Sequence, residues 1–508
     1  METLHLLSQG MIHIIADGYL TMLVIGLIVG MAVSVMPGLG IVMGIVLALP
    51  FTYSMAVEPS IIMLTAIYMS GTYAGCFTAI LYRIPGEPND IPMLWDGYNM
   101  SRNGQTAEAL GWALISAFIG GIVSTAFMVG LAIPLGKLAL QFSTADYFAA
   151  VFLGLTSVVS LAGASIVNAF IGLFIGLLIS TVGVDSIYGS ERFTFDSPIL
   201  VNGIPYITVL VGMYGFGEVL TRIGRKPINF SKVGEPIRTN TAFPSLKQIW
   251  DIRETLLRST VLGTLLGIVP GAGATVTSFI AYGIEKQYSK RRDLLGSGLP
   301  EGIVAPQIGS TASVAGHMVP LLTLGIPGSG ATAIILAAFL LHGVQPGPLL
   351  LSTAQSKLTV YTIFASMFMA VVGMCLLSFL WIRVVVRVLS IPPAVLAAVV
   401  IMFSLLGTYA NRNSISDMML IVVFGALGYA FEKFKFPISP LVLGVVLGPL
   451  AESSFMQTMI SHDNDFTAFF NGPIRGTFMA LSLAALLFPV VRNSLSRRKS
   501  SMSQTVSD

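Results

Sequence analysis

The groups in this chain best placed to do chemistry are backbone amides and carbonyls freed by proline and glycine, together with the hydroxyls beside them. Met36-Pro37-Gly38-Leu39-Gly40 and Val269-Pro270-Gly271-Ala272-Gly273 interrupt two apolar runs, 26–50 and 259–285. Each is followed some fifty residues later by a second interruption, Ile84-Pro85-Gly86-Glu87 and Ile326-Pro327-Gly328-Ser329. Proline removes a donor and glycine frees the backbone, so a helix stops at each. A helix that starts in an apolar medium points unbonded N–H groups and a partial positive charge at whatever it borders, which suits an anion. A helix that stops there exposes carbonyls, which with hydroxyls suit a hard cation such as Na⁺. The expected anion contacts are therefore Pro37, Gly38, Gly40, Thr78, Pro85, Gly86, Pro270, Gly271, Gly273, Ser310, Thr311, Pro327, Gly328 and Ser329. Gly38, Thr78, Gly271, Thr275 and Thr323 are the candidate Na⁺ ligands, with Thr277 and Ser313 nearby. A single Pro-Gly in an apolar run is more often a packing kink, and a lone hydroxyl more often bonds back to its own helix. Two matched pairs of interruptions favour a site.

Other titratable groups are few. Asp96, in Trp95-Asp96-Gly97-Tyr98, reads equally as an end-of-span cap and as a ligand contact. Glu285 and Glu301 flank the basic run Lys286, Lys290, Arg291, Arg292 and are expected to pair with it. His317 and His342 could serve proton coupling, although a lone histidine in a span is more often packed and hydrogen-bonded. Cys76 and Cys375 read as small buried hydrophobes rather than a disulfide or a metal cluster. No Ser-His-Asp order, HExxH, CxxC or P-loop occurs. The expectation is a protein that is not an enzyme, uses no cofactor beyond a possible coupling Na⁺, and has no nucleic-acid partner, since the net charge is only +3.

The elements that must position these groups are membrane helices. The chain has 508 residues, 54% hydrophobic and 10% charged, with mean hydropathy +0.83, against about 25% charged in soluble proteins. Long apolar runs without strand alternation predict an all-α polytopic protein in membrane lipid, with about a dozen membrane segments at roughly twenty residues per span. Beyond the interrupted runs, spans are expected near 59–82, 107–133, 146–162, 164–184, 204–222, 358–382, 414–431, 438–452 and 474–491. The stretch 223–258 is rich in Lys and Arg and reads as a cytoplasmic linker between a first half, 1–222, and a second, 259–491, followed by a cytoplasmic tail, 492–508. Basic loops on both sides of 259–285 predict a re-entrant hairpin with Pro270-Gly271 at its tip. No Lys or Arg precedes Arg83, which predicts no cleaved leader and an N-terminus outside. Counting back from the tail puts the acidic loop 453–473 outside as well. The broken segment 18–50 is long enough for a single tilted span or for a hairpin. As a hairpin it puts the N-terminus outside by the same count, and the two halves then enter from opposite faces, as two inverted repeats with broken helices.

The words themselves resemble a known family. PGLG, IPGEP followed by DGYxMxRxG, PGAGAT, LLTLGIPGSG followed by LHGVQPGPLL, and FGALGYAFEKFKFPISPLVLGVVLGPLAE occur in the order found in the large integral-membrane subunit of the tripartite tricarboxylate transporters, over about residues 20–480. The resemblance implies ion-coupled secondary uptake of a small carboxylate across a bacterial inner membrane. It also implies delivery by a periplasmic substrate-binding protein and a small four-helix membrane subunit as partner. A pore for anions without ion coupling, on the same scaffold, is the alternative. Where many members read APEAANNAAAGG, this chain reads Ala305-Pro306-Gln307-Ile308-Gly309-Ser310-Thr311-Ala312-Ser313-Val314-Ala315-Gly316. Where the family often has YGGSITAILLNIPG, residues 73–86 read YAGCFTAILYRIPG. The scaffold is kept while its polar lining differs, which predicts a substrate other than citrate or altered coupling.

Overall fold

A computed structural model describes residues 2–36, 39–161, 166–185, 187–223, 242–347, 350, 354–389 and 393–486. Pro37, Gly38, most of the linker (224–241) and the tail beyond 486 lie outside the described residues. The protein is an all-α polytopic membrane protein; the one sheet among the described residues pairs β1 (Gly183–Val184) with β2 (Glu191–Arg192). Five helical runs among the described residues are long and apolar enough to cross a membrane: Val57–Tyr82, Thr106–Ala139, Ser356–Ile382, Ile415–Lys433 and Ile438–Ser461. A further pair, α1 (Glu2–Ala16) and α2 (Leu20–Val35), qualifies together but is bent by 87°.

By contact the chain forms two compact units, one of residues 1–140 with 210–429 and one of 141–209 with 430–508. The first holds all four Pro-Gly interruptions. In it α2 is followed by α3 (Gly40–Thr52), α4 (Val57–Ala74), α5 (Cys76–Tyr82), α6 (Met93–Arg102) and α7 (Thr106–Ala139). A Cβ on Gly44 of α3 would lie 3.5 Å from Val33 Cβ of α2, whereas eleven residues of continuous helix span about 16 Å. α3 therefore folds back along α2. The chain does the same at the second interruption, between α14 (Arg253–Ile268) and α15 (Gly273–Tyr288). The Glu285 carboxylate accepts from Thr255 Oγ1 at 2.8 Å and from Arg258 at 2.6 Å, joining the two far ends of the hairpin. Each arm has 16 residues, about 24 Å at 1.5 Å per residue and short of a ~30 Å hydrocarbon core.

The same packing recurs in both halves. Gly26-x-x-x-Gly30 on α2 lies against Met63 and Ile67 of α4, and Gly263-x-x-x-Gly267 on α14 against Gly309 and Ser313 of α16 (Glu301–Leu324). Only glycine admits such backbone approach. α4 and α16 are buried on every side, and each carries polar side chains into the interior, Tyr68 and Thr72 on α4 and Gln307 and His317 on α16. Each is then covered by the long helix of the other half: α7 packs on α16, and α18 (Ala354–Leu389) packs on α4. α18 runs to Leu389 rather than stopping before Arg383, and α7 runs through Pro134 rather than ending at 133.

The first unit also holds the run 210–223, which opens into a π-helical segment at Val211–Phe216; Gly212 packs on Phe424 and Gly425 of Ile415–Lys433, and Gly217, just after the segment, on Gly425 and Gly428. The second unit pairs Ile166–Ser180 with Ile438–Ser461 through Gly172, Gly176, Gly444 and Gly448. On its surface Arg192 forms an ion pair with Glu452.

Candidate functional site

In each half the residue after the second Pro-Gly caps the next helical segment, by the same device. Ser329 caps α17 (Gly330–Leu341) with a capping box to Thr332. Glu87 caps the 3₁₀ turn Pro88–Asp90 with a capping box to Asp90, whose Oδ2 accepts the Glu87 N–H at 2.8 Å. The glycine before each cap touches backbone eleven residues upstream: a Cβ on Gly86 would lie 2.6 Å from Gly75 Cα, and one on Gly328 2.9 Å from His317 Cα. Each break also meets the hairpin tip of its own half. Gly271, at φ +86°, donates its N–H to Gly328 O at 2.8 Å. A Cβ on Gly40, at φ +70°, would lie 3.6 Å from Glu87 Oε2.

The breaks then cross between halves. The turn 88–90 packs on α15 and α16, and α17 packs on α3 and α4. Ser278 Oγ of α15 donates to Asn89 O at 2.6 Å. Thr72 O of α4 accepts from Asn89 Nδ2 at 3.3 Å and from Gln307 Nε2 at 3.5 Å. Four residues earlier on α4, Tyr68 Oη lies 2.8 Å from His317 Nδ1 and 3.0 Å from Ser329 Oγ. Residues 68 and 72 thus meet 317 and 307, in that order, so α4 and α16 run in opposite senses.

The structure brings Gly40, Gly86, Gly271, Gly328 and Ser329 to these junctions, with Pro85, Pro270 and Pro327 beside them, and Gly273 opens α15 with no atom within 4 Å of its Cβ position. The hydroxyls behave differently. Thr78, Thr277, Ser310, Ser313 and Thr323 donate to carbonyls three or four residues back on their own helices. Thr311 Oγ1 accepts from Gln307 Nε2 at 2.9 Å, and Thr275 is half-buried on α15. His342 lies at the end of α17.

Several groups at these junctions carry no role in the sequence reading: Ser34, Tyr68, Thr72, Glu87, Asn89 and Asp90; Gln307 enters it only as part of the altered polar lining at 305–316. Glu87 and Asp90 are 6% and 0% exposed, and no lysine or arginine among the described residues forms an ion pair with either. Glu87 accepts from Ser34 Oγ at 3.3 Å. The signal available was the repeat itself, because Glu87-x-x-Asp90 occupies the place of Ser329-x-x-Thr332.

Asp96 resolves as a cap. Its Oδ1 accepts the N–H groups of Gly296, Gly298 and Leu299 at 2.9, 2.9 and 2.8 Å, and its Oδ2 accepts from Tyr282 Oη at 3.1 Å, fixing the loop that opens α16. Asp96→Asn removes an acceptor facing several buried donors and should destabilise the fold by about 2–3 kcal/mol. The check is thermal unfolding of the purified variant in detergent; an unchanged midpoint contradicts the cap. Glu301 pairs with Arg291 of the basic run, whereas Glu285, expected to pair with that run as well, pairs instead with Arg258 of α14 across the hairpin. Among the described residues no group of three or more His, Cys, Asp and Glu is placed to hold a metal ion, and both cysteines are free.

A family profile described as the tripartite tricarboxylate transporter TctA family matches residues 20–443. The chain is 34% identical over 474 residues to an uncharacterized 52.8 kDa protein in the TAR-I ttuC' 3' region of Agrobacterium vitis, covering 93% of both chains. It is 35% identical over 236 residues to an uncharacterized protein in the TAR-II ttuC' 3' region of the same organism, covering 46% of this chain and 97% of that one. No solved structure matches it.

Proposed function

As the chain belongs to the tripartite tricarboxylate transporter TctA family, we propose that it carries out secondary active uptake of a small organic anion, a di- or tricarboxylate or a related carboxylate, driven by Na⁺ or H⁺. The substrate is held where the two breaks and hairpin tips meet, and it arrives from a periplasmic binding protein in a complex with a small membrane subunit. The two sequence halves enter an inner membrane from opposite faces, with the N-terminus periplasmic and the C-terminus cytoplasmic.

The observation that carries this reading is the crossed arrangement of the two breaks. Each packs its post-glycine segment against the hairpin of the other half, so neither half completes a site alone. Interrupted helices from two oppositely running repeats are how carriers build a midplane site. A continuous pore needs no such closure, and the central helices α4 and α16 are buried along their whole length.

The test is uptake of radiolabelled carboxylates by membranes holding the chain with its two partner subunits. The expected result is accumulation above the outside concentration that collapses when both Na⁺ and H⁺ gradients are dissipated. Flux that only ever runs downhill overturns the carrier reading and leaves the anion pore.

A further inference from the structure

The geometry points to His317 as the residue that donates to the substrate's carboxylate, from Nε2, at the break that opens α17. This rests on the chain being a carboxylate carrier and assigns the anion to one of its two related breaks.

His317 is 0% exposed. Its Nδ1 is taken by Tyr68 Oη, while its Nε2 has no partner among the described residues. Cδ2, the ring atom bonded to Nε2, lies 2.7 Å from where a Cβ on Gly328 would stand. That edge of the imidazole therefore faces the Pro327-Gly328 backbone leading into α17. The helix is 12 residues long, and its first intrahelical bond runs from Ala333 N–H to Ser329 O at 2.9 Å. The N–H groups of Gly330 and Ala331 precede that bond, so the partial positive charge of the helix start stands beside the orphan nitrogen. A buried polar atom without a partner costs free energy unless a ligand satisfies it.

The hydrogen-bond chain behind His317 has two polarities. Ser329 Oγ accepts the Thr332 N–H at 3.3 Å and lies 3.0 Å from Tyr68 Oη. If Ser329 donates to Tyr68 and Tyr68 to Nδ1, the ring hydrogen sits on Nε2. If the chain runs the other way, Nδ1 carries the hydrogen and Nε2 is a bare acceptor. Both satisfy the internal partners equally, and a carboxylate at Nε2 selects the first.

The other break offers no such donor. The residue matching His317 is Gly75, which Gly86 approaches as Gly328 approaches His317. The residues matching Ser329 and Thr332 are the buried acids Glu87 and Asp90, which in their ionised form repel an anion. The repeat has thus been divided into an acidic break and a neutral one that carries an imidazole.

The test has two arms. In the first, full-length protein labelled with ¹⁵N-histidine is reconstituted in lipid and titrated with acetate, with chloride as control. The His317 resonance is identified among the five histidines by its loss in His317→Gln. Acetate should move His317 to the neutral Nε2–H tautomer, chloride should not, and Tyr68→Phe should weaken the change. A His317 signal indifferent to acetate overturns the assignment, and this arm needs no knowledge of the substrate. In the second arm, uptake of the carboxylate that the wild type accumulates is compared across variants. His317→Leu should raise KM by at least about 50-fold, while His317→Gln, whose amide can donate, should stay within about tenfold. Equal impairment of both variants marks a packing role and overturns the proposal, as does wild-type KM in His317→Leu. Should no carboxylate accumulate in the wild type, the carrier reading fails, and the acetate arm separately decides whether His317 binds an anion.

Discussion

Gly328→Val should reduce substrate accumulation by at least about 100-fold while the protein still inserts and is recovered from membranes in normal amount. A Cβ at Gly328 would lie 2.9 Å from His317 Cα, a backbone atom that cannot swing aside, and 2.7 Å from the ring at Cδ2. The start of α17 would be pushed off α16, and the bond from Gly271 N–H to Gly328 O would be lost. Two chain segments would then misplace the helix end that the site is built on. Insertion should persist because the apolar runs flanking the break are untouched. Gly271→Val should act in the same direction by a second route, since φ is +86° there and a β-branched residue in that region costs about 1–2 kcal/mol. Uptake by membranes of matched protein content is the measurement; near-normal uptake by both variants would move the site away from this junction.

Glu87→Gln should lower the accumulation ratio by about 50-fold while exchange of substrate across the membrane continues. Glu87 and Asp90 are two buried carboxyl groups joined by a capping box, with no ion pair among the described residues. An unpaired buried charge costs several kcal/mol, so such groups bind a cation or a proton instead. Under the proposed ion-coupled uptake, we place the coupling ion at this acidic break. One elementary charge moved through 100 mV carries about 2.3 kcal/mol, and every 1.4 kcal/mol is a factor of ten, which sets the size of the loss. Glutamine keeps the size of the side chain and its acceptor for Ser34 but cannot take up a proton or neutralise a cation. The measurement is the steady-state ratio of internal to external substrate, alongside counterflow into preloaded vesicles. A variant that accumulates like the wild type would take coupling away from Glu87.

Much of the scaffold can be read directly from the chain, and the reason is repetition. Pro270-Gly271, between two basic loops, forecasts a reversal of direction, and the bond from Thr255 to Glu285 closes that hairpin as expected; for 18–50 the sequence leaves a single tilted span and a hairpin both open. The features that sequence reasoning missed depend on contacts between halves. Tyr68 and His317 are 249 residues apart, and nothing local to either position marks them as partners. Glu87 and Asp90 sit in a polar, turn-rich stretch, 83–105, and are buried where turn 88–90 crosses onto α15 and α16. Several of the candidate hydroxyls make only local bonds, which leave their oxygen lone pairs open to a ligand. Thr78, Ser310 and Thr323 find acceptors on their own helices, a local bond that any apolar helix offers.

The most direct test of a substrate site at the crossed breaks is a cryo-electron microscopy structure of the chain bound to the carboxylate it accumulates. Ligand density should be enclosed by Pro327, Gly328, Ser329 and His317, with the Gly271 tip beside it and both central helices lining it. Density in the unit formed by 141–209 and 430–508, or at the basic surface around Lys286 and Arg292, with the break left empty, would contradict that placement.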